Sequence, residues 1–147
     1  KALALPSTEV SDIDEIDILN KTVMTIENLT SFNRVRGTDV FFLYLSGYHN
    51  RVKQVLLKKI FNQNQSKNIL YYHFGDIDPE GFYILDNLRN KTGIDFRPYR
   101  MNVENLEIYR DYTKSFESND IKKVESLIAV GKYFDIATYM LKNKVKL

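Results

Sequence analysis

The sequence predicts an α/β protein built on a mainly parallel sheet of about four strands, flanked by helices, with more helices after the sheet. Three observations carry this. Short apolar runs, Val40-Phe41-Phe42-Leu43-Tyr44-Leu45 and Ile69-Leu70-Tyr71-Tyr72-His73-Phe74, are continuous rather than alternating, as strands covered on both faces are. Segments of helical periodicity lie between them. The last third of the chain carries no comparable strand-like run.

Each element can be read in order. Residues 1–20 form a lead-in with a short helix, acidic in its second half (Glu9, Asp12, Asp14, Glu15, Asp17). Val23-Met24-Thr25-Ile26 is β-rich and ends at Glu27-Asn28, and a short helix over 30–35 closes at Gly37. The strand 40–45 stops at Ser46-Gly47. Apolar positions 52, 55, 56 and 60 predict a helix over 51–61 with lysines outward. After the strand 69–74 comes a helix over 79–92, ended by Gly93. Residues 95–101 read as a fourth strand, whose Pro98 suits an edge or strand end. Two or three helices follow over about 103–115, 119–130 and 132–143, the last two separated by Gly131, and Lys142 to Lys146 read as a frayed helix end, with a phosphate patch as the alternative. The expected organisation is therefore a lead-in (1–20), a core (21–102) and a helical extension packed on it (103–147), one domain excised from a longer protein.

Composition narrows the function classes. A chain of 147 residues, 44% of them apolar, buries roughly 70% of its unfolded surface as one domain. With no cysteine, disulfides and thiolate zinc sites are excluded, which fits a cytoplasmic protein. Ala2-Leu3-Ala4-Leu5 stops at Pro6 and is too short for a signal or membrane helix, so no membrane is expected. The net charge of +2 assigns strong DNA affinity to another domain or subunit, although local patches matter more than totals.

Chemistry concentrates in Gly75-Asp76-Ile77-Asp78-Pro79-Glu80-Gly81. Right-handed crossovers bring all C-terminal strand ends of a parallel sheet to one edge, where open α/β sheets bind ligands. Glu27, Gly47 and Asp76 fall there. Like charges ~4 Å apart cost about 4 kcal/mol at an effective dielectric near 20, so grouped carboxylates must protonate or share a cation. Mg²⁺ suits such a site because it takes one or two carboxylates and keeps waters. Each residue also has a simpler reading. Asp78-Pro79 makes a helix N-cap and first turn, Asp76 a turn, and Glu27 a solvated strand end or a lysine's partner.

A glutamate after the first strand and an Asp-x-Asp after a later one resemble the Toprim domain of topoisomerases, primases and nucleases. Asp76-Ile77-Asp78-Pro79-Glu80-Gly81-Phe82-Tyr83-Ile84-Leu85 is similar to a segment of the topoisomerase VI A subunit and its meiotic relatives. A more specific resemblance is to the C-terminal domain of the JetD family, the nuclease subunit of bacterial Wadjet anti-plasmid systems. It is carried by Ile26-Glu27-Asn28-Leu29-Thr30-Ser31-Phe32, Ser46-Gly47-Tyr48-His49-Asn50-Arg51 and Phe74-Gly75-Asp76-Ile77-Asp78-Pro79-Glu80-Gly81. These landmarks span 23–101 in the family's order.

The resemblance implies a Toprim-like Rossmannoid fold and metal-dependent phosphodiester cleavage of DNA. Glu27 would act as general base or metal ligand, and Asp76 and Asp78 would hold Mg²⁺, with Mn²⁺ as a substitute. It also implies an upstream DNA-binding region and a condensin-like loop-extruding partner. The topoisomerase relatives dimerise, which makes a homodimer a further expectation. His49 departs from the family, whose glycine loop often has proline there, and no residue answers to the topoisomerase tyrosine.

Arg51, which opens a helix beside the glycine loop, and Arg97 and Arg100 are candidates for the DNA backbone; as solvated charges they would do nothing more. His49 is expected to be exposed in its loop, with phosphate contact as the alternative. His73 reads as a core histidine. A non-catalytic Toprim-like module for DNA or partner recruitment is the alternative to the nuclease. A receiver-like phosphoryl-transfer domain lacks its lysine or threonine after a later strand.

Overall fold

Four parallel strands, β1 (Thr22–Ile26), β2 (Val40–Tyr44), β3 (Leu70–Phe74) and β4 (Arg97–Pro98), form one sheet in the order β2-β1-β3-β4. The computed structural model describes residues 8–147, so the Ala2–Leu5 run lies outside the described residues. Between the strands run α1 (Leu29–Arg34), α2 (Arg51–Gln63) and α3 (Pro79–Thr92). The chain steps from β1 to β2 on one side, then crosses to β3 on the other. That reversal makes the gap beyond β1 and β3 the topological switch point, where such sheets open a crevice.

Local sequence explains the helix ends. The Asn28 side chain accepts from the Thr30 and Ser31 amides at 2.8 and 3.2 Å, so the chain turns into α1 directly after Glu27. Asn50 caps α2 by accepting from the Lys53 amide at 3.1 Å. Pro79 sits in the first turn of α3, and Gly93 ends that helix with φ +73°, a left-handed conformation that glycine adopts without a Cβ penalty.

One core cluster joins Val23 and Tyr71 of the sheet to Leu57, Ile60, Leu85 and Leu88 of α2 and α3. A second lies under Phe82 and Ile77 and is closed by α4 (Val103–Ile108), α5 (Ser118–Ala129) and α6 (Phe134–Asn143). Gly131, at φ +69°, separates the last two as expected.

Four expectations are corrected. The fourth strand shrinks to two residues at the sheet edge, since proline offers no N–H to a ladder. The helix expected over 103–115 stops at Ile108, followed by a 3-10 turn at Arg110–Tyr112 and β5 (Lys114–Ser115). The C-terminal lysines are not a frayed helix end, because β6 (Val145–Lys146) pairs antiparallel with β5. Among the described residues, 8–20 contain no helix. They form a strap held to α2, where Ile16 and Ile18 donate backbone N–H bonds to the Gln63 and Asn64 side chains at 2.7 and 2.9 Å. Lys59 is drawn inward with them, donating to the Val10, Ser11 and Ile13 carbonyls.

Candidate metal centre

Adjacent strands bring the acids together. β1 and β3 pair with Ile26 opposite Phe74, and the Glu27 amide donates to the Phe74 carbonyl at 3.0 Å. Glu27 therefore lies beside Gly75-Asp76 at the switch point. A Cβ on Gly75 would meet Glu27 Oε2 at 2.7 Å and His73 Nε2 at 2.8 Å, so only glycine leaves room for both. Gly81, in the first turn of α3, meets a similar constraint, because a Cβ there would overlap the Asp76 carbonyl oxygen.

The segment between the aspartates is held from the far end of the chain. Ile77 and Leu147 exchange backbone hydrogen bonds, at 2.7 Å for the Ile77 N–H and 2.9 Å for the Leu147 N–H. Asp78 caps α3, accepting from the Gly81 N–H at 2.6 Å. The helix-cap reading of Asp78 thus holds whatever else its second oxygen does.

Electrostatics identify a strained group. Burial pushes the Glu27 carboxyl up to about 7, and the charges of Asp76 and Asp78 add to the shift. Its side chain is 14% exposed, and Oε2 is buried without a hydrogen-bond partner. Asp76, exposed at the mouth, is also raised by partial burial, against the pull of Lys114. Asp78 is raised by burial, offset first by its Gly81 hydrogen bond. Glu80 is committed elsewhere, since it pairs with Lys123 and is lowered by it.

Behind Glu27 sits His73, fully buried and opposite Thr25 in the strand register. Its Nδ1 is 2.9 Å from Thr25 Oγ1, and its Nε2 is unpartnered, 3.9 Å from Glu27 Oε2. Burial lowers His73 to about 4, so the ring is neutral at pH 7. His49 is corrected from exposed to buried, with both ring nitrogens unpartnered. Arg51 is exposed at the start of α2, and Arg97 on β4 is exposed too. Arg100 is exposed and lines a cleft of about 210 Å³ with Asp76.

The sequence did not place two cations beside the acids, although Lys146 belongs to the lysine-rich end. Lys114 and Lys146 come from the two-stranded β5–β6 sheet, whose strands are separated in the chain by α5 and α6, and their charges act on Asp76 and Asp78 respectively. Lys146 is itself bound by Asp120 at 2.7 Å. No motif marks them, because a strand of two residues leaves no periodic signal.

Chemically, the arrangement suits a hard cation that keeps most of its water. The orphaned Glu27 oxygen and the mutual repulsion of three carboxylates are relieved by positive charge. A closed protein cage is another matter, as no group of three His, Cys, Asp or Glu residues among those described is disposed to hold an ion by itself. One or two carboxylates with several waters is the coordination that Mg²⁺ prefers.

Residues 2–145 match the family described as the C-terminal region of the Wadjet protein JetD. The chain belongs to this JetD C-terminal family. A curated relative, the Wadjet protein JetD of Bacillus cereus (strain Q1), is 25% identical over 130 residues. The match covers 85% of this chain and 32% of that JetD protein, so the chain spans about a third of its relative's length. The family match runs through the four-stranded sheet, the acidic loop and β5, so Lys114 falls inside the JetD region with Glu27, Asp76 and Asp78. Among the described residues no helix is long and apolar enough to cross a membrane.

Proposed function

We propose that this domain carries the metal-dependent DNA-cleaving site of a Wadjet-type plasmid-defence protein. The observation that carries the reading is the buried, unpartnered Oε2 of Glu27, crowded by Asp76 and Asp78 at the sheet's switch point. A bound Mg²⁺ or Mn²⁺ would polarise a phosphoryl oxygen or activate water. Asp76 and Asp78 would hold the ion. Glu27, near neutrality in pKa, would accept the proton of the attacking water or complete the ion's shell. His73 keeps the back of Glu27 dry and adds no competing positive charge.

By its resemblance to the JetD and topoisomerase families, the intact protein would work on DNA beside a condensin-like loop-extruding complex in the cytoplasm, with a DNA-binding region outside this segment and in a homodimeric assembly. The Toprim relation belongs to the same proposal. The test is Mg²⁺- and Mn²⁺-dependent cleavage of plasmid DNA by the intact protein. Glu27→Gln, Asp76→Asn and Asp78→Asn should each lose at least about 100-fold in rate, as when a single transition-state electrostatic contact is removed. Full activity in Asp76→Asn would sink the reading.

The absence of a three-ligand group among the described residues favours a second reading, a recruitment module without catalysis. Calorimetry separates the two. Divalent-ion binding lost in the Asp76→Asn/Asp78→Asn double variant supports the nuclease, and no binding even with DNA present supports recruitment.

A further inference from the structure

The cleft beside Asp76 extends past the acids. One wall is Asn28 and Ser31 at the start of α1, and the other is Arg100, Asn105 and Tyr109. Its volume, about 210 Å³, admits one planar ring system and excludes a duplex. Tyr109 is 43% exposed, which leaves its ring available for stacking. Arg100 forms no ion pair among the described residues, and its guanidinium lies 5.3 Å from the centre of the Tyr99 ring. Lys114 adds a second cation on the Asp76 side. A second cleft, by contrast, is walled by Glu104 and Asp135, charges that would repel a phosphate.

We propose that the Asp76 cleft is a subsite for one unpaired nucleotide next to the bond that is cut, its base stacked on Tyr109 and its phosphate on Arg100. The inference rests on the nuclease reading and specifies its substrate as a locally opened DNA strand. Several features point the same way. An aromatic face binds any base and gains most from one that has left its helix. The Asn28 NH2 group, whose oxygen is taken by the α1 cap, the Asn105 oxygen, whose NH2 donates to Asn102, and the Ser31 hydroxyl supply donors and acceptors for a base edge without a charge that would need desolvation. A guanidinium matches a phosphate bidentately. Arg100 and Lys114 supply positive charge at the mouth of an otherwise acidic site, where a DNA strand would be repelled.

The experiment uses the intact protein and a single-stranded oligonucleotide bearing 2-aminopurine, titrated in EDTA so that no cleavage occurs. A blunt duplex of the same sequence is titrated beside it, and Mg²⁺-dependent cleavage by wild type and Asp76→Asn is measured in parallel. The expected result is a change in 2-aminopurine emission on binding. In Tyr109→Ala that change disappears and single-strand affinity falls about tenfold, the scale of one lost base stack. Tyr109→Trp should keep both, and duplex affinity should not respond to either variant. If Tyr109→Ala behaves as wild type while Asp76→Asn is inactive, the subsite is overturned and the nuclease reading stands. If Tyr109→Trp loses as much as Tyr109→Ala, Tyr109 is structural and the subsite is again overturned. If Asp76→Asn cleaves normally, the nuclease reading falls and takes the subsite with it.

Discussion

Replacing Gly81 by alanine sets two effects of opposite sign against each other at the acidic loop. Glycine inside a helix is about 1 kcal/mol worse than alanine, so by propensity alone Gly81→Ala would stabilise the protein. The structure opposes this, because the new methyl would overlap the Asp76 backbone carbonyl oxygen. A carbonyl cannot rotate aside as a side-chain tip can. Nor can α3 retreat, since Phe82, Leu85 and Leu88 are fully buried along it. The loop must move instead, against the Ile77–Leu147 backbone bonds and the Asp78 cap. Overpacking of this kind costs about 1–3 kcal/mol; a clash with fixed backbone takes the upper half of that range, and the propensity gain of about 1 kcal/mol is subtracted from it. We expect a net destabilisation of about 1–2 kcal/mol, read as a lower urea midpoint at unchanged slope. Because the displaced atoms belong to Asp76, calorimetry should also show divalent-ion affinity reduced by at least tenfold. A variant with an equal or higher urea midpoint and unchanged ion binding would refute the argument that Gly81 is required by the close approach of Asp76.

Three further outcomes are expected. Gly75→Ala would push a methyl between Glu27 and the fully buried His73; urea denaturation should show a loss of about 1–3 kcal/mol, and cleavage should fall with it. Glu27 is raised from 4.5 to about 7, so the folded state binds its proton more tightly and the resulting stability is full below pH 4.5 and lost as pH rises through 7. At ~1.4 kcal/mol per pH unit, Glu27→Gln should gain about 2–3 kcal/mol on wild type between pH 5 and pH 8 in EDTA, and a pH-independent difference would contradict the crowding of the acids. Asn64→Ala removes a buried amide that serves the Ile16, Ile18 and Ile60 backbone, so a loss of about 2–3 kcal/mol should come with faster amide exchange at Ile18 specifically.

The acidic site was legible because its signals are local. Asp78-Pro79 caps a helix in any context, Gly93 ends it, and continuous apolar runs mark strands that must be covered twice. Parallel pairing then brings Glu27 and Asp76 to one edge, although they are 49 positions apart. The strap of residues 8–20 was not legible, because its stability comes from Gln63, Asn64 and Lys59 side chains reaching backbone groups nearly fifty residues away. Polar side chains that bind backbone leave no hydrophobic period to read.

His49 shows the same limit from another side. Its loop position and polarity point to solvent, yet tertiary packing closes over it and leaves both nitrogens without partners. Lys114, Lys146 and Leu147 reach the acidic loop through a pair of two-residue strands brought together across α5 and α6, too short to declare themselves. By itself, then, the sequence determined the parallel α/β sheet and which carboxylates share its edge, since periodicity, caps and crossover handedness are short-range or topological rules. Only the tertiary structure decided how deeply Glu27 is buried, which cations face the aspartates and what lines the adjoining cleft. Those depend on desolvation and packing among segments far apart in the chain, whose contacts no local pattern encodes.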